Sequence, residues 1–349
     1  MAIEFVDSFD HYKLGNTISD PVLLAQLNAK WTSNFLRLDI ENTGRTGNCL
    51  TITYGSFIFK TVTHQSSWSG VLAFRANTGN AGGGPIYILN NNGTNLFKIV
   101  YNFDNTLSLY AGNNVIGTTN QAIHQYKWFS IGWDVTLSGS SNIAVTASLW
   151  VNGSKWLNAV SGSSGINANS LPSQDATGNV HVLESGLGTA GNSSIDDFVV
   201  CNSATAFNNG GFFGDARIIA IYPNADDLTG FATATPHFSL INEHAPDDDA
   251  TYIEDSVAAT KDTWDWDQIA LSGIIKGLQY LLYAKKTDEG TKVMNHNVGP
   301  AGAELVGPDV YLSDDYIYHH IPMDTDPATG AAFTVTNFNN KDFGVQIKS

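Results

Sequence analysis

The chain has 349 residues, 42% of them hydrophobic and 11% aromatic, which is enough to bury the cores of two domains. Its 33 acidic side chains outnumber the 17 basic ones, for a net charge of −16 at pH 7. This excludes nucleic acid and anionic membrane as direct partners, because phosphate binding needs clustered Lys and Arg. The N-terminal segment Met1–Phe5 has no basic or apolar region, and no stretch is long enough for membrane insertion. We therefore expect a soluble protein without a signal peptide.

Residues 1–205 are predicted to form one all-β domain. Two segments of alternating apolar and polar residues, Phe5–Tyr12 and Ile195–Val200, bracket it, and period-two alternation is typical of half-buried strands. The apolar runs between them are separated by dipeptides that favour hairpins, Asp104-Asn105 and Asn152-Gly153. We expect the bracketing strands to pair and close a single sandwich, with one helical turn near Val22–Leu27.

Three consecutive segments of this domain resemble the concanavalin A-like sandwich, in particular its laminin-G-type members. They are the strand, Asp-Asn turn and Leu-Ser-Leu-Tyr strand of 97–110, the Trp-led strand Trp128–Val135, and the strand that ends in Val151-Asn152-Gly153. The resemblance covers about residues 3–205 and implies a jelly roll of two packed sheets. It implies an architecture rather than a chemistry, since one fold hosts many functions.

Residues 206–211, rich in Ala, Asn and Gly, are predicted to be a linker, and residues 212–349 a second, smaller β-sandwich domain. Most of the acidity lies in that domain, which has 21 acidic and 8 basic side chains. Asp215–Pro223 is predicted as a strand ended by its proline. Leu271–Lys286 is predicted mainly as strand because the hairpin turn Thr287–Gly290 follows it, with a helix as the alternative for so short an apolar run.

A series of segments in the second half resembles structural proteins of tailed bacteriophages. Its members are Gly214–Ile218 with Tyr222-Pro223, Glu243 followed by Asp249–Ile253, Lys285–Thr291, Pro327–Gly330 and Phe343–Val345. The resemblance implies a non-enzymatic virion component, synthesised in the host cytoplasm, that acts by docking and display as a capsid decoration, tail fibre or tail-associated protein. Its implied partners are other capsid or tail proteins and further copies of itself, as a homo-oligomer such as a trimer.

The sequence contains no constellation of catalytic residues. Gly186–Gly191 matches the dinucleotide-binding fingerprint, but a strand and not a helix follows it. Glucanases of the concanavalin-like fold carry their two carboxylates in a Glu-x-Asp-x-x-Glu arrangement, and no glutamate of the first domain has that spacing. The adjacent Asp196 and Asp197 are expected on opposite faces of a strand, one bonding backbone and the other facing solvent. We therefore predict no catalytic residue.

No cofactor or firm metal site is predicted. Weak candidates for calcium ligands are the acidic-loop residues Asp247, Asp249, Asp324 and Asp326. The spacing from Asp324 begins like an EF-hand loop and then fails, so solvated acidic loops are favoured over a calcium site. The two cysteines, Cys49 and Cys201, are predicted to be buried free thiols, with a disulfide as the alternative.

Aromatic side chains on an outer face of the sandwich are candidates for contact with a sugar ring or a partner protein. Trp150 alternates out of phase with the apolar face of 143–151 and is expected on the opposite, partly exposed face, with core packing as the alternative. Trp156 and Tyr87 complete the candidate set. They support a second hypothesis, a carbohydrate-binding module that recognises a host surface glycan, with the Gly-rich loop 77–85 lining its site. A glycoside hydrolase is a third, disfavoured hypothesis.

Overall fold

A computed structural model describes residues 3–31, 38–53, 57–63, 66–77, 85–89, 95–139, 142–166, 177–183, 193–201, 214–234, 236–270, 272–300 and 302–349, with 177–183 described by backbone alone. The predicted linker 206–211, the Gly186–Gly191 segment and most of the loop 77–85 lie outside these residues. The chain divides into two compact units. One consists of Met1–Asp10 with Leu14–Ile219, and the other of His11–Lys13 with Ala220–Ser349.

The described part of the first unit is an antiparallel sandwich with one helix, α1 (Pro21–Lys30). Its strands are β1 (Ile3–Asp7), β2 (Gly15–Asn16), β3 (Leu38–Glu41), β4 (Cys49–Ile52), β5 (Phe57–Thr63), β6 (Ser67–Ala76), β7 (Ile86–Leu89), β8 (Asn95–Tyr101), β9 (Leu107–Ala111), β10 (Asn114–Thr118), β11 (Phe129–Ser138), β12 (Ala144–Val151), β13 (Ser154–Ser163), β14 (Thr177–Leu183) and β15 (Ser193–Cys201). A nine-stranded sheet has the order β13-β12-β11-β6-β15-β4-β3-β2, with β1 also paired to β15. A six-stranded sheet has the order β10-β9-β8-β7-β14-β5. The all-β sandwich is thus confirmed.

The core of the first unit lies between the inner faces of these two sheets. Trp68, Phe74 and Trp133 of the larger sheet are at most 2% exposed, and the ring of Phe97 from the smaller sheet lies 6.4 Å from that of Trp133. Burial of each such side chain contributes about 1.5–3 kcal/mol to folding. The bracketing strands β1 and β15 do pair, with Phe5 opposite Val200, as the alternation of their sequences predicts.

Helix α1 begins at a cap that the sequence supplies. The side chain of Asp20 accepts hydrogen bonds from the backbone N–H groups of Val22 (3.0 Å) and Leu23 (3.3 Å). Pro21 occupies the first helical position, where a backbone N–H would have no acceptor within the helix, so its absence costs no hydrogen bond. The helix continues to Lys30, so it is longer than the single turn predicted here. Nowhere in the described residues is there a helix with the length and apolar character needed to cross a membrane.

A buried ion pair joins the end of α1 to β1. Asp7 and Lys30 are 1% and 3% exposed, and the Lys30 Nζ lies 3.3 Å from the Asp7 Oδ2. Trp31 Nε1 donates a hydrogen bond to the same Oδ2 at 2.7 Å, and the Phe9 backbone N–H donates to Asp7 Oδ1 at 2.8 Å. Burial lowers the pKa of Lys30, and the Asp7 carboxylate opposes that shift. Asp7 therefore satisfies three donors in a place that water does not reach.

The two predicted hairpins are confirmed. Asn152 and Gly153 have φ angles of 47° and 83°, which are the left-handed values that a tight β12–β13 turn requires. Asn105, with φ of 65°, connects β8 to β9 and leaves Tyr101 opposite Leu107. The second turn fixes the register of β8 against β9, and with it the side chains that share the outer face of the smaller sheet.

The described part of the second unit is also all-β. Its strands are β16 (Pro223–Thr229), β17 (Lys261–Trp266), β18 (Leu278–Ala284), β19 (Val293–Gly299), β20 (Leu305–Tyr311), β21 (Ile317–Met323) and β22 (Asp342–Ile347), with a short helix α2 (Val335–Phe338) and a 3-10 turn at Phe238–Leu240. One sheet has the order β16-β17-β22-β19-β20, and β18 pairs with β21 in a second. Tyr280 of β18 stacks on Phe343 of β22 at 6.2 Å, so the two sheets share a core. The strand prediction for Leu271–Lys286 is confirmed over β18, whereas residues 272–277 form no strand.

The predicted strand Asp215–Pro223 is wrong, since residues 214–222 form no strand and β16 only begins at Pro223. The backbone N–H of Ile218 donates to Asp197 Oδ1 at 2.7 Å, and Arg45 donates to the Ala216 carbonyl at 3.3 Å. These bonds replace those of a strand ladder, and they attach Ala216 and Ile218 to the first unit, which ends at Ile219. A proline is accepted as the first residue of an edge strand, because it has no N–H to donate.

A second buried ion pair lies in the second unit. His237 and Asp262 are 0% exposed, and His237 Nδ1 lies 2.6 Å from Asp262 Oδ2. The other ring nitrogen lies 2.6 Å from the carbonyl oxygen of Thr233, and Asp226 accepts a hydrogen bond from the His237 backbone. Burial lowers the pKa of His237, but the Thr233 carbonyl and the carboxylates of Asp262 and Asp226 outweigh it, so the pKa is raised.

We expect the second unit to lose stability as the pH rises through the raised pKa of His237. The unfolded histidine has a pKa of about 6.5, so the stabilisation by its charged form is complete below that pH and is lost above the folded pKa. An NMR titration of the His237 ring resonances should give a pKa above about 6.5, the ordinary value of a histidine. A value at or below about 6.5 would contradict the assignment of a charged imidazole.

Candidate functional site

The outer face of the six-stranded sheet carries a row of polar and aromatic side chains. In β7, β8 and β9 the alternate residues that face the core are aliphatic or aromatic and fully buried, namely Ile86, Ile88, Phe97, Ile99, Leu107 and Leu109. The residues between them point outwards. They include Tyr87, Lys98 and Tyr110, one from each strand.

These three side chains are neighbours across the sheet. Lys98 is the register partner of Tyr87 on one side and of Tyr110 on the other. Its ammonium nitrogen lies 4.7 Å from the centre of the Tyr110 ring, a distance at which a cation is attracted to an aromatic face. Tyr87 is 8% exposed, while Lys98 and Tyr110 are half-buried. In the backbone register, Tyr87 lies opposite His181 of β14, and His181 lies opposite Phe59 of β5.

The Lys98 ammonium lacks a counter-charge in the described part of the chain. It makes no ion pair or hydrogen bond there, in contrast to Lys30, and burial alone lowers its pKa. A half-buried cation with no carboxylate beside it attracts an anionic group from solution, and the low local dielectric strengthens that attraction. The row therefore combines an anion site with two phenol rings. We define Tyr87, Lys98 and Tyr110 as the lysine–tyrosine row.

Of the three aromatic residues selected from the sequence, only Tyr87 belongs to this row. Trp150 lies on the outer face of the nine-stranded sheet, as its alternation predicts, but it is 6% exposed and so is buried and not partly exposed. The Lys155 ammonium lies 4.6 Å from the centre of its ring and covers it. Trp156 is half-buried on β13. The structure does not bring either tryptophan into the lysine–tyrosine row.

The prediction that one of the adjacent residues Asp196 and Asp197 faces solvent is wrong. Both are at most 1% exposed, because Asp197 has a φ of 51° and the strand is irregular from Asp196 onwards. Asp196 Oδ2 accepts hydrogen bonds from the backbone of Arg45 at 2.8 Å and Thr46 at 3.3 Å. Burial raises the pKa of both carboxyls, and the neighbouring charge of Asp197 adds to the shift of Asp196. With Asp197 bonded to Ile218, the pair anchors two segments of backbone.

The weak calcium candidates are bonded to other groups of the chain. Asp326 is 1% exposed and forms a 3.0 Å ion pair with Lys341. Asp249 pairs with Lys285 at 2.7 Å, and Asp247 accepts a hydrogen bond from the backbone of Thr251 at 2.9 Å. Asp324 also has a partner. Cys49 and Cys201 are both buried and both free, as predicted.

No family model and no curated protein matches the chain. Several solved structures do. A double mutant of the alginate lyase Aly36B in complex with alginate trisaccharide is 11% identical, with a TM-score of 0.43 over 58% of this chain and 98% of that chain. An endo-β-1,4-glucuronan lyase from the fungus Trichoderma reesei is 13% identical, with a TM-score of 0.34 over 52% and 90%. The PL-14 alginate lyase from Aplysia kurodai is 11% identical, with a TM-score of 0.35 over 47% and 87%. At such identities the likeness concerns the β-sandwich fold.

These comparisons overturn the hypothesis of a non-enzymatic structural component of a phage virion. The solved structures named above are polysaccharide lyases, and the expectation that the chain is not an enzyme is wrong on the same finding. The predicted homo-oligomer, the capsid or tail partners and the host glycan stay predictions. Sequence analysis also missed Lys98 and Tyr110. The signal for them was present, since the Asp104-Asn105 hairpin sets the two residues opposite each other.

Proposed function

We propose that the first unit is an enzyme that cleaves an acidic polysaccharide by β-elimination at the lysine–tyrosine row. The observation that carries the proposal is the half-buried Lys98 ammonium, held against the Tyr110 ring and without a carboxylate partner in the described residues. A uronic acid residue supplies the missing carboxylate. The net charge of the chain does not oppose this, because residues 1–211 carry 12 acidic and 9 basic side chains and the strong acidity lies elsewhere.

The chemistry of the three side chains matches the demands of the reaction. β-Elimination removes the proton on C5 of a uronate, forms a C4–C5 double bond and expels the glycosidic oxygen from C4, which takes up a proton. Lys98 pairs with the carboxylate and stabilises the negative charge that develops on it as the C5 proton leaves. A tyrosine oxygen moves the proton, as the general base and then the acid, and the phenol rings pack against the sugar. Water and an oxidant are not consumed.

Hydrolysis is supported less well. A glycosidase of the retaining or inverting type needs two carboxyl groups on either side of the scissile bond. The described members of the row, from Phe59 through Tyr87, Lys98 and Tyr110, include no carboxylate. Among the buried carboxylates of the first unit, Asp196 and Asp197 are bonded to backbone, and Asp7 is paired with Lys30.

The experiment is a substrate panel with the purified full chain. Alginate, polyglucuronate and pectate provide uronates, and cellulose and laminarin serve as neutral controls. We expect ultraviolet absorbance of the unsaturated uronate product with at least one acidic polymer and none with the neutral ones. If an acidic polymer in an affinity gel retards the protein but no unsaturated product forms, the elimination reaction is contradicted. The first unit would then be a binding module and not an enzyme. If no uronate polymer gives either product or retention, the proposal is wrong altogether.

A further inference from the structure

Four carboxylates from separate parts of the sequence meet at one end of the five-stranded sheet. Asp227 comes from β16, Asp265 from β17 and Asp342 from the first residue of β22, and Glu304 directly precedes β20. One carboxylate oxygen each of Asp227, Glu304 and Asp342 lies within 4.8 Å of the other two. Asp265 is close enough to Asp342 to interact with its carboxyl group. We call these four residues the sheet-end carboxylates.

The described surroundings hold this cluster in place but do not neutralise it. Lys261 is the one cation that bonds to it within the described residues, at 2.6 Å from Glu304 Oε2. The Gly302 backbone N–H donates to Glu304 at 2.7 Å, and the Thr263 hydroxyl donates to Asp227 at 2.8 Å. Four carboxylates against one ammonium leave a large excess of negative charge in a small volume.

Asp342 is the residue that points to a ligand. It is 6% exposed, and its Oδ2 is fully buried with no N–H or hydroxyl donor among the described residues; the neighbouring Asp265 carboxyl can share a hydrogen bond with Asp342 only when one of the two is protonated. That carboxylate is one of the three whose oxygens converge. A buried carboxylate oxygen with no donor is costly, and such groups in folded proteins are normally paired or coordinate a metal. Nothing in the lysine–tyrosine row explains this orphaned oxygen, which lies in the other unit.

We propose that the sheet-end carboxylates bind a calcium ion. Calcium is a hard cation that takes six to eight oxygen ligands at about 2.3–2.6 Å, so oxygens up to about 5 Å apart can share one ion. The set is made of oxygen donors alone, which suits calcium better than zinc or copper. Asp227 is exposed and leaves the ion open to water for its remaining ligands. The bound ion joins edge strand β16 to β22 and to the turn before β20, and so stabilises the second unit.

The test is titration calorimetry with calcium chloride on the full chain after treatment with a chelator. We expect one ion per chain and a melting temperature of the second unit that increases with the calcium concentration, since the ion binds the folded state. Asp342→Asn should abolish both effects. Asp249→Asn is the matched control, because it removes an exposed carboxylate that is paired with Lys285, and it should bind calcium as the unmodified chain does.

Three results would overturn the proposal. They are the absence of both heat and a calcium-dependent melting temperature, calcium binding by Asp342→Asn that equals that of the unmodified chain, and magnesium binding at least as tight as that of calcium. Should Asp342→Asn fail to fold, Asp227→Asn keeps the test decisive, because this position is exposed and its change leaves the core intact. We expect that variant to bind calcium about tenfold more weakly or worse. An unchanged affinity would count against the site.

Discussion

Replacement of Asp7 by Ala is expected to lower the free energy of unfolding of the first unit by about 3–5 kcal/mol. The change removes the carboxylate that lies 3.3 Å from the buried Lys30 ammonium, and with it the acceptor to which the Trp31 indole N–H donates at 2.7 Å. An uncompensated buried charge is among the costliest defects a folded chain can carry. Urea unfolding, followed by the tryptophan fluorescence of the first unit, measures the effect. A loss below about 1 kcal/mol, the usual size for an exposed pair, would contradict it.

Two further variants separate this electrostatic effect from a simple loss of packing. Asp7→Asn with Lys30→Met removes both charges and should recover much of the stability, because a pair replaced by neutral groups leaves no buried charge. Asp314→Asn is the surface control, since Asp314 pairs with Lys286 at 2.7 Å but its side chain is 85% exposed. It should change the stability of its own unit by less than about 1 kcal/mol. Equal losses from Asp7→Ala and from the double variant would mean that packing, and not charge, is responsible.

Much of the fold could be predicted because it follows from local patterns. Alternation identified β1 and β15, and their positions at the two ends of one domain predicted that they pair. The Asn152-Gly153 turn connects β12 to β13 with the left-handed angles that its residues favour. In the second half, the hairpin turn after Lys286 correctly favoured strand over helix for the segment that contains β18.

The errors come from contacts between residues far apart in the sequence. Asp215–Pro223 has the composition of a strand, but its backbone bonds to Asp197 and Arg45 of the first unit in place of a ladder partner. Asp196 and Asp197 are both buried, in a strand that the left-handed conformation of Asp197 interrupts. No periodicity in the sequence reports a backbone angle of this kind at a non-glycine residue.

The site was partly within reach of the sequence. The β8–β9 hairpin sets Lys98 opposite Tyr110, and the sequence between β7 and β8 contains Asn92-Gly93, a dipeptide that also favours a hairpin and so the pairing of Tyr87 with Lys98. The sheet-end carboxylates could not be predicted from the sequence. Asp227 and Asp342 are far apart in the sequence and lie at the same end of the sheet because β16 and β22 both pair with β17. The strand order β16-β17-β22-β19-β20 depends on the whole unit and not on any local pattern. The acidic runs that the sequence does display, such as Asp247–Asp249, lie in loops and bond to nearby donors.

Replacement of Lys98 by Met is expected to lower kcat/KM for the acidic polysaccharide by about 10²–10⁴-fold, the range for a group that acts on a transition state through charge or proton transfer. Methionine keeps the length and the contact with the Tyr110 ring but removes the charge that would pair with the carboxylate. Tyr110→Phe should lower kcat with little change in KM, because the ring still packs on the sugar and only the hydroxyl is lost. Steady-state kinetics on the polymer that gives the largest product signal in the panel would measure both.

The matched control is Lys155→Met, which removes the other lysine that covers an aromatic ring on an outer face of the sandwich. Its ammonium lies 4.6 Å from the Trp150 ring, against 4.7 Å for Lys98 and Tyr110, so the two variants lose the same kind of contact on opposite sheets. If the reaction takes place on the six-stranded sheet, Lys155→Met keeps full activity while Lys98→Met loses it. The reverse result would move the site to Trp150 and Trp156, and equal losses would show that both lysines act through stability. The pair of variants thus decides which face of the sandwich meets the polysaccharide.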